Sequence, residues 1–331
     1  MNALVQDSVY TGFGYAKALI FGEYAVMYGA PGLVAALTPK IKITLKHPRI
    51  SNQTALNHTN PIHALPFDLQ LKNILNLKWA ENDPQIDADI SVDLNDFFDE
   101  SGNKLGIGSS AAAIVALLQA KLQLRKALEL PDLPLRNFLD HAITAHRMLQ
   151  NQMGSGIDVI ASCTGGISLV SQCPDNPVIQ SISQDDIPPF VVLATHQQAP
   201  TISYISAAKN IEHTARYKLI IENLTNIYKD MKTQVLQKNH AGFLDGLDII
   251  TRQLECLAQI IDRPIIPESL YKLAPLAKSC HVCLKTSGAG GGDIFIAFAK
   301  TFNHILEFTN AIPQSSGITV LPFQIAPPRY E

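Results

Sequence analysis

A chain of 331 residues, 47% hydrophobic and 17% charged, holds enough apolar material for a large core on the scale of two domains, which excludes long disorder. A formal net charge of -3 without any basic block excludes an obvious nucleic-acid surface, and five cysteines are too few for a disulfide framework. No stretch reaches about 18 uncharged apolar residues, and Met1 to Tyr10 lacks the basic and apolar regions of a secretory leader. The expectation is a soluble, reduced, cytoplasmic protein with no membrane or nucleic-acid partner, acting on a small molecule as a monomer or homodimer.

Ala16 to Phe21 reads as a strand that ends where Gly22 turns the chain. Lys40 to Lys46 alternates, with Ile41, Ile43 and Leu45 on one face, and Ile86 to Leu94 does the same with Asp87, Asp89, Ser91 and Asp93 outward. Both are half-buried strands. Asp68 to Ala80 between them reads as a helix, as do Ile114 to Lys121 and Pro134 to Gln150, with Pro134 near the first turn. Strands follow at Ile167 to Val170 and Phe190 to Ala194; the Pro-, Ser-, Asp- and Gln-rich run from Gln172 to Pro189 reads as a boundary. Ile202 to Asn239 and Phe243 to Ile261 are mostly helical, followed by a short helix at Leu270 to Lys278. A strand ends near Lys285, Ile294 to Phe298 is another, and Ile318 to Ile325 is strand-like with Pro322 at an edge. Interspersed strands and helices imply an α/β or α+β protein of two domains. Cys280 and Cys283 make one CxxC, but no second pair or well-placed His completes a zinc site, so it reads as a buried strand edge.

The chemistry sits in glycine-rich segments. Gly106-Ile107-Gly108-Ser109-Ser110-Ala111-Ala112-Ala113 opens the apolar helix at Ile114. Glycines let a backbone wrap an anion, and a helix start supplies unpaired N–H groups and the positive end of a dipole, so the run is a phosphate cradle. It is neither a Walker A loop nor a dinucleotide fingerprint. Taken alone it also fits a glycine turn capped by Ser109 ahead of a core helix. Lys17 lies within an apolar strand, where an ammonium either meets an anion or snorkels to the surface. In Gly154-Ser155-Gly156-Ile157-Asp158-Val159, Asp158 is a lone carboxylate that fits a turn or N-cap as well as catalysis. Lys285-Thr286-Ser287-Gly288-Ala289-Gly290-Gly291-Gly292-Asp293 has more glycine than a turn needs, so its backbone must approach something closely.

Together these segments resemble the GHMP kinases, the superfamily of galactokinase, homoserine kinase, mevalonate kinase and phosphomevalonate kinase, in order and over nearly the whole chain. The second segment is similar to the superfamily's GLGSSAA loop with Ile107 for Leu, and the last to its GAGGG loop. Glu23-Tyr24-Ala25-Val26, Gly154-Ser155-Gly156-Ile157-Asp158-Val159 and Gly290-Gly291-Gly292-Asp293 resemble the phosphomevalonate kinase forms rather than those of mevalonate kinases, which also carry a metal-binding Glu where this chain has His146. One stretch departs: Ala194 to Ser203 keeps only the Pro and the hydroxyls of the GWTG-x-PAST segment of phosphomevalonate kinases.

The resemblance implies an α+β GHMP fold, with an N-terminal domain like ribosomal protein S5 over residues 1–185 and a ferredoxin-like domain over 186–331. It implies ATP-dependent phosphorylation of 5-phosphomevalonate to 5-diphosphomevalonate, in isoprenoid synthesis. The alternatives are mevalonate kinase or another kinase of the fold, and further off a sensor without turnover. Lys17 and Asp158 would meet at the transferred phosphoryl. ATP would lie on Lys104, Gly106, Ile107, Gly108, Ser109, Ser110, Ala111 and Ala112, with Ser110 a ligand of Mg2+. The acceptor would meet Lys17, Glu23, Tyr24, Arg147, Ser155, Gly156, Ser287, Gly288, Ala289 and Gly290. Arg147, which could equally serve as a favourable charge at a helix C-terminus, is with Lys104 and Lys285 a candidate cation for the acceptor phosphate.

Overall fold

The computed structural model describes residues 8–51, 62, 65–80, 83–173, 176–197 and 201–329. Two compact, interleaved units emerge: Met1–Ala16, Pro39–Phe97 and Gly108–Cys163 in the first, Lys17–Thr38, Phe98–Ile107 and Thr164–Glu331 in the second. Strands β1 (Val9–Phe21) and β2 (Gly32–Ser51) contribute residues to each.

In the first unit, the later part of β2 pairs antiparallel with β3 (Gln85–Asp93), placing Leu45 opposite Ile90 and Lys42 opposite Asp93. The expected alternation holds, with Ile41, Ile43 and Leu45 fully buried and the four outward residues of β3 exposed. Helix α1 (Phe67–Leu75) stops short of the expected Ala80. The Asn76 side chain donates to Lys72 O at 3.0 Å and exchanges bonds with Ile86 (2.9 and 2.7 Å), and Trp79 N donates to Asp83 Oδ2 at 2.8 Å. These local bonds compete with another helical turn. Helix α2 (Ser109–Ala127) is buried all round from Ala111 to Leu118, as an interior helix must be. A Cβ on Gly14 would sit 2.1 Å from Ala112 O, and one on Gly12 2.1 Å from Ala116 O. Strand backbone therefore rests directly on the small residues of α2, which fixes its start. Helices α3 (Leu135–Leu149), preceded by Pro134, and α4 (Ile157–Thr164) complete this unit.

In the second unit the early part of β2 pairs with β4 (Ile167–Ser171), and β4 with β5 (Val178–Ile182). The run expected to be a boundary, Gln172 to Pro189, therefore contains a strand, with its turn-forming residues on either side of β5. A second antiparallel sheet has the order β7-β8-β6-β9, from β6 (Phe190–Ala194), β7 (Val282–Thr286), β8 (Ile294–Ala299) and β9 (Thr319–Leu321). The division at 185/186 falls inside this unit, between β5 and β6. β9 is shorter than expected because Pro322, lacking an N–H, ends it; Ile325 makes only a single bridge to Leu37. Helices α5 (Thr201–Asn210), α6 (Ala215–Leu236), α7 (His240–Ile261), α8 (Glu268–Ser279) and α9 (Phe302–Ala311) belong here, with α6 and α7 capped by the side chains of Thr214 and Asn239. Cys283 lies on β7, at the edge of the sheet, and burial pushes its thiol up to about 11. Among the described residues no helix is long and apolar enough to cross a membrane.

Candidate active site

The expected site residues fall in both units. In the second, Lys17 is 7% exposed on β1, and its backbone N donates to Ile107 O at 2.9 Å, which ties the strand to the first half of the phosphate loop. Its ammonium lies 3.7 Å from where a Cβ on Gly288 would be. Leu19 N donates to Ser287 Oγ at 2.9 Å and Tyr24 Oη to Ala289 O at 2.7 Å. Thus Lys17, Ser287, Gly288 and Ala289 are brought together along the end of β1.

Glu23 and Lys285 are placed differently from a substrate pair. They form a buried ion pair with each other, and Lys285 Nζ also donates to Thr286 O at 2.7 Å. Tyr228 of α6 donates to Glu23 Oε2 at 3.2 Å. Burial first, and the neighbouring Glu23, hold the Tyr24 and Tyr228 hydroxyls well above the ordinary phenol range, so both act as donors. Burial pulls the Lys285 ammonium down, and Glu23 opposes that shift. With its charge taken up by Glu23 and no exposed surface, Lys285 is not a cation for an acceptor phosphate. Tyr228 had no sequence signal beyond one aromatic in the buried stripe of a helix.

The glycines after Ala289 approach the protein itself. A Cβ on Gly290 would lie 2.4 Å from Ile265 O, and one on Gly292 2.3 Å from Gln197 O. Gly106, at φ +70°, faces the side chain of Asp293, whose Cβ would be 2.3 Å from an added one. The two glycine-rich loops of this unit therefore touch. Lys104 is exposed, its backbone paired with Phe98 across a tight hairpin.

In the first unit, Gly108 is the N-cap of α2 in left-handed conformation (φ +89°), and no side chain caps the helix. Ser109 is the first helical residue rather than the cap. The first-turn N–H groups around Ser109, Ser110 and Ala111 have no partner within the helix and carry its positive dipole end. Ser110 Oγ lies 3.0 Å from Nε2 of buried His146 on α3. If the hydroxyl donates to that nitrogen, its lone pairs are left for a cation. In the sequence, His146 stood out only through the resemblance, at the position of a Glu in mevalonate kinases. Ser155 Oγ accepts from Ile157 N at 3.3 Å just ahead of α4, in which Asp158 is the second residue rather than the cap. Arg147 Nε donates to Gly154 O at 3.3 Å, bracing the loop that carries Ser155 and Gly156.

Among the described residues no group of three His, Cys, Asp or Glu is placed to hold a metal ion.

No family model matches the sequence, and no curated protein does. Solved structures do match. The Lin0012 protein of Listeria innocua is 20% identical with a TM-score of 0.78, over 97% of this chain and 98% of that one. Phosphomevalonate kinase of Streptococcus pneumoniae, in complex with phosphomevalonate and AMPPNP, is 15% identical with a TM-score of 0.71, over 95% and 99%. Mevalonate kinase of Methanococcus jannaschii is 14% identical with a TM-score of 0.64, over 97% and 99%. Across its whole length, the chain has the mixed helix-and-sheet fold of the GHMP kinases.

Proposed function

We propose that this chain is an ATP-dependent small-molecule kinase whose acceptor is 5-phosphomevalonate. The observation that carries the reading is the start of α2: a left-handed Gly108, no side-chain cap, and Ser110 held by His146. The shared fold and the phosphomevalonate kinase forms of the three motifs support it.

ATP lies on Lys104 and on Gly106 through Ala112, where backbone N–H groups and the two serine hydroxyls hold its phosphates. Mg2+ supplies charge neutralisation on those phosphates, with Ser110 as its protein ligand. Lys17 stabilises charge spread over the transferred group. Arg147, Ser155 and Gly156, with Ser287, Gly288 and Ala289, line the acceptor end. A phosphate oxygen of the acceptor bonds to the γ-phosphorus as the bond to the β–γ bridging oxygen breaks, releasing ADP. An acceptor phosphate is already largely a dianion near neutral pH, its second pKa being about 6, so Asp158 orients rather than removes a proton. Mevalonate is the second acceptor to consider, because the structural likeness extends to a mevalonate kinase.

ADP release by the purified protein with 5-phosphomevalonate and with mevalonate tests this. Turnover with the phosphate alone is expected, falling by orders of magnitude in Lys17→Met. Turnover with mevalonate alone overturns the acceptor assignment, and failure to bind MgATP overturns the kinase assignment.

A further inference from the structure

The one stretch that departs from the phosphomevalonate kinase pattern is Ala194 onward. It occupies a telling place in the second unit. Thr195 N donates to Asp293 O at 2.8 Å, and Asp293 N donates to Gln197 O at 2.6 Å. Asp293 is the residue whose side chain closes on Gly106. Between Thr195 and Gln197 stands His196, in left-handed conformation at φ +55°, which points its ring away from the strand path.

That ring has a partner on each nitrogen. Nε2 lies 2.9 Å from Thr319 Oγ1 on β9. Nδ1 lies 2.9 Å from Asp99 Oδ2, off the line a ring N–H bond requires, so this contact is electrostatic rather than a directed hydrogen bond. Asp99 in turn organises the hairpin leading into the phosphate loop. Its Oδ1 accepts from Ser101 N at 2.9 Å and Asn103 N at 2.7 Å, and its Oδ2 accepts from Asn103 Nδ2 at 3.0 Å. Lys104 and Gly106 come next in the chain. Residues 195–197 therefore hold the segment at both ends, at Asp99 through His196 and at Gly106 through Asp293.

We propose that His196 is a positioning residue that braces the Asp99–Ile107 segment between β6 and β9, and so sets nucleotide affinity. The proposal rests on the reading that this segment carries ATP. His196 itself touches neither substrate; it acts through Asp99.

Nucleotide binding by the full chain, measured calorimetrically with MgAMPPNP, tests this directly. His196→Asn keeps a residue that tolerates left-handed backbone but cannot span to both partners. It should weaken binding about tenfold, within the usual range of coupling between sites. In the steady state the KM for ATP should rise by the same factor, while kcat and the KM for the acceptor hold. His196→Lys, which places a cation opposite Asp99, should recover part of the loss. Thr319→Val, a shape-preserving change, should weaken binding in the same direction, and its effect should not add to that of His196→Asn. If His196→Asn fails to fold, Thr319→Val carries the test alone. Unchanged affinity in the folded variants, or equal loss toward both substrates, overturns the brace. Absence of nucleotide binding by the unaltered protein overturns instead the reading on which it rests.

Discussion

Glu23 and Lys285 show how far a single residue can be read. Glu23 lies in a motif that the resemblance puts at the acceptor, and Lys285 opens a glycine loop, so sequence places both at the acceptor. The fold turns both inward to each other, 262 positions apart in the chain. Nothing local in the sequence encodes that pairing, because a carboxylate and an ammonium look the same whether they meet a ligand or one another. The distinction has a consequence in stability. Removing one partner of a buried pair strands the other charge and typically costs about 3–5 kcal/mol. Lys285→Met should therefore lower unfolding free energy in urea by that amount. The double change with Glu23→Gln should recover part of it, since a neutral amide can still accept from Tyr228. A Lys285→Met protein with unaltered stability and a raised KM for the acceptor would return the lysine to the substrate. Lys17, by contrast, was legible: an ammonium inside an apolar strand is anomalous enough to be noticed, and its place beside Gly288 agrees with the glycine pattern around it.

At the scale of elements, α2 was read well at its beginning and poorly beyond its middle. Its start announced itself through glycine and alanine, matched by the bare positions of β1. Its later half carries Lys121 and Arg125, both buried, which their charge alone would have put in solvent although they continue the face of Ile114 and Leu118. Arg125 forms a buried ion pair with Asp83, Lys121 Nζ lies 3.8 Å from the same carboxylate, and both cations sit over the Trp79 ring, at 4.6 and 5.5 Å. The Asp83 contact links residues separated by a strand and a loop, so no window of sequence contains it. Asp83→Ala leaves two buried cations uncompensated and should destabilise by about 3–5 kcal/mol, whereas Lys272→Ala, which breaks an exposed pair with Glu268, should leave stability nearly unchanged. Burial pulls Lys121 down from its ordinary range to about 7. Between that value and the ordinary lysine range of about 10.4, the unfolded chain holds a proton that the folded one has released, so this group makes stability rise with pH across that window. Lys121→Met should flatten the rise; an unchanged slope would mean that the ammonium stays charged against Asp83 and Trp79.

At the scale of the whole molecule, element type was largely visible while unit membership was not. Periodicity and turn chemistry gave most strands and helices, but not β5, α4 or α9. Composition put a boundary at Gln172 to Pro189, where a strand lies, because turn-rich flanks around a short strand look like a linker. The two units interleave through β1 and β2, and an interleaved chain leaves no single shift in composition to mark them. The run proposed to hold phosphate is likewise divided, with Gly106 and Ile107 in one unit and Gly108 to Ala112 in the other. The nucleotide of the proposed function would bind only the folded state, so it would stabilise the molecule by mass action, by about 2.7 kcal/mol at a hundredfold excess over Kd. MgAMPPNP should therefore raise the melting temperature of the full chain and sharpen a single transition. On the proposed reading, in which the hydroxyl serves His146 and the metal rather than the core, Ser110→Ala should keep the unliganded melting temperature within a few degrees. The same concentration of MgAMPPNP should then raise it by less, and AMPPNP with EDTA should act alike on the variant and the unaltered protein. An equal Mg2+-dependent rise in both proteins would remove Ser110 from the metal. A rise with EDTA as large as that with Mg2+ would show that backbone N–H groups alone hold the nucleotide.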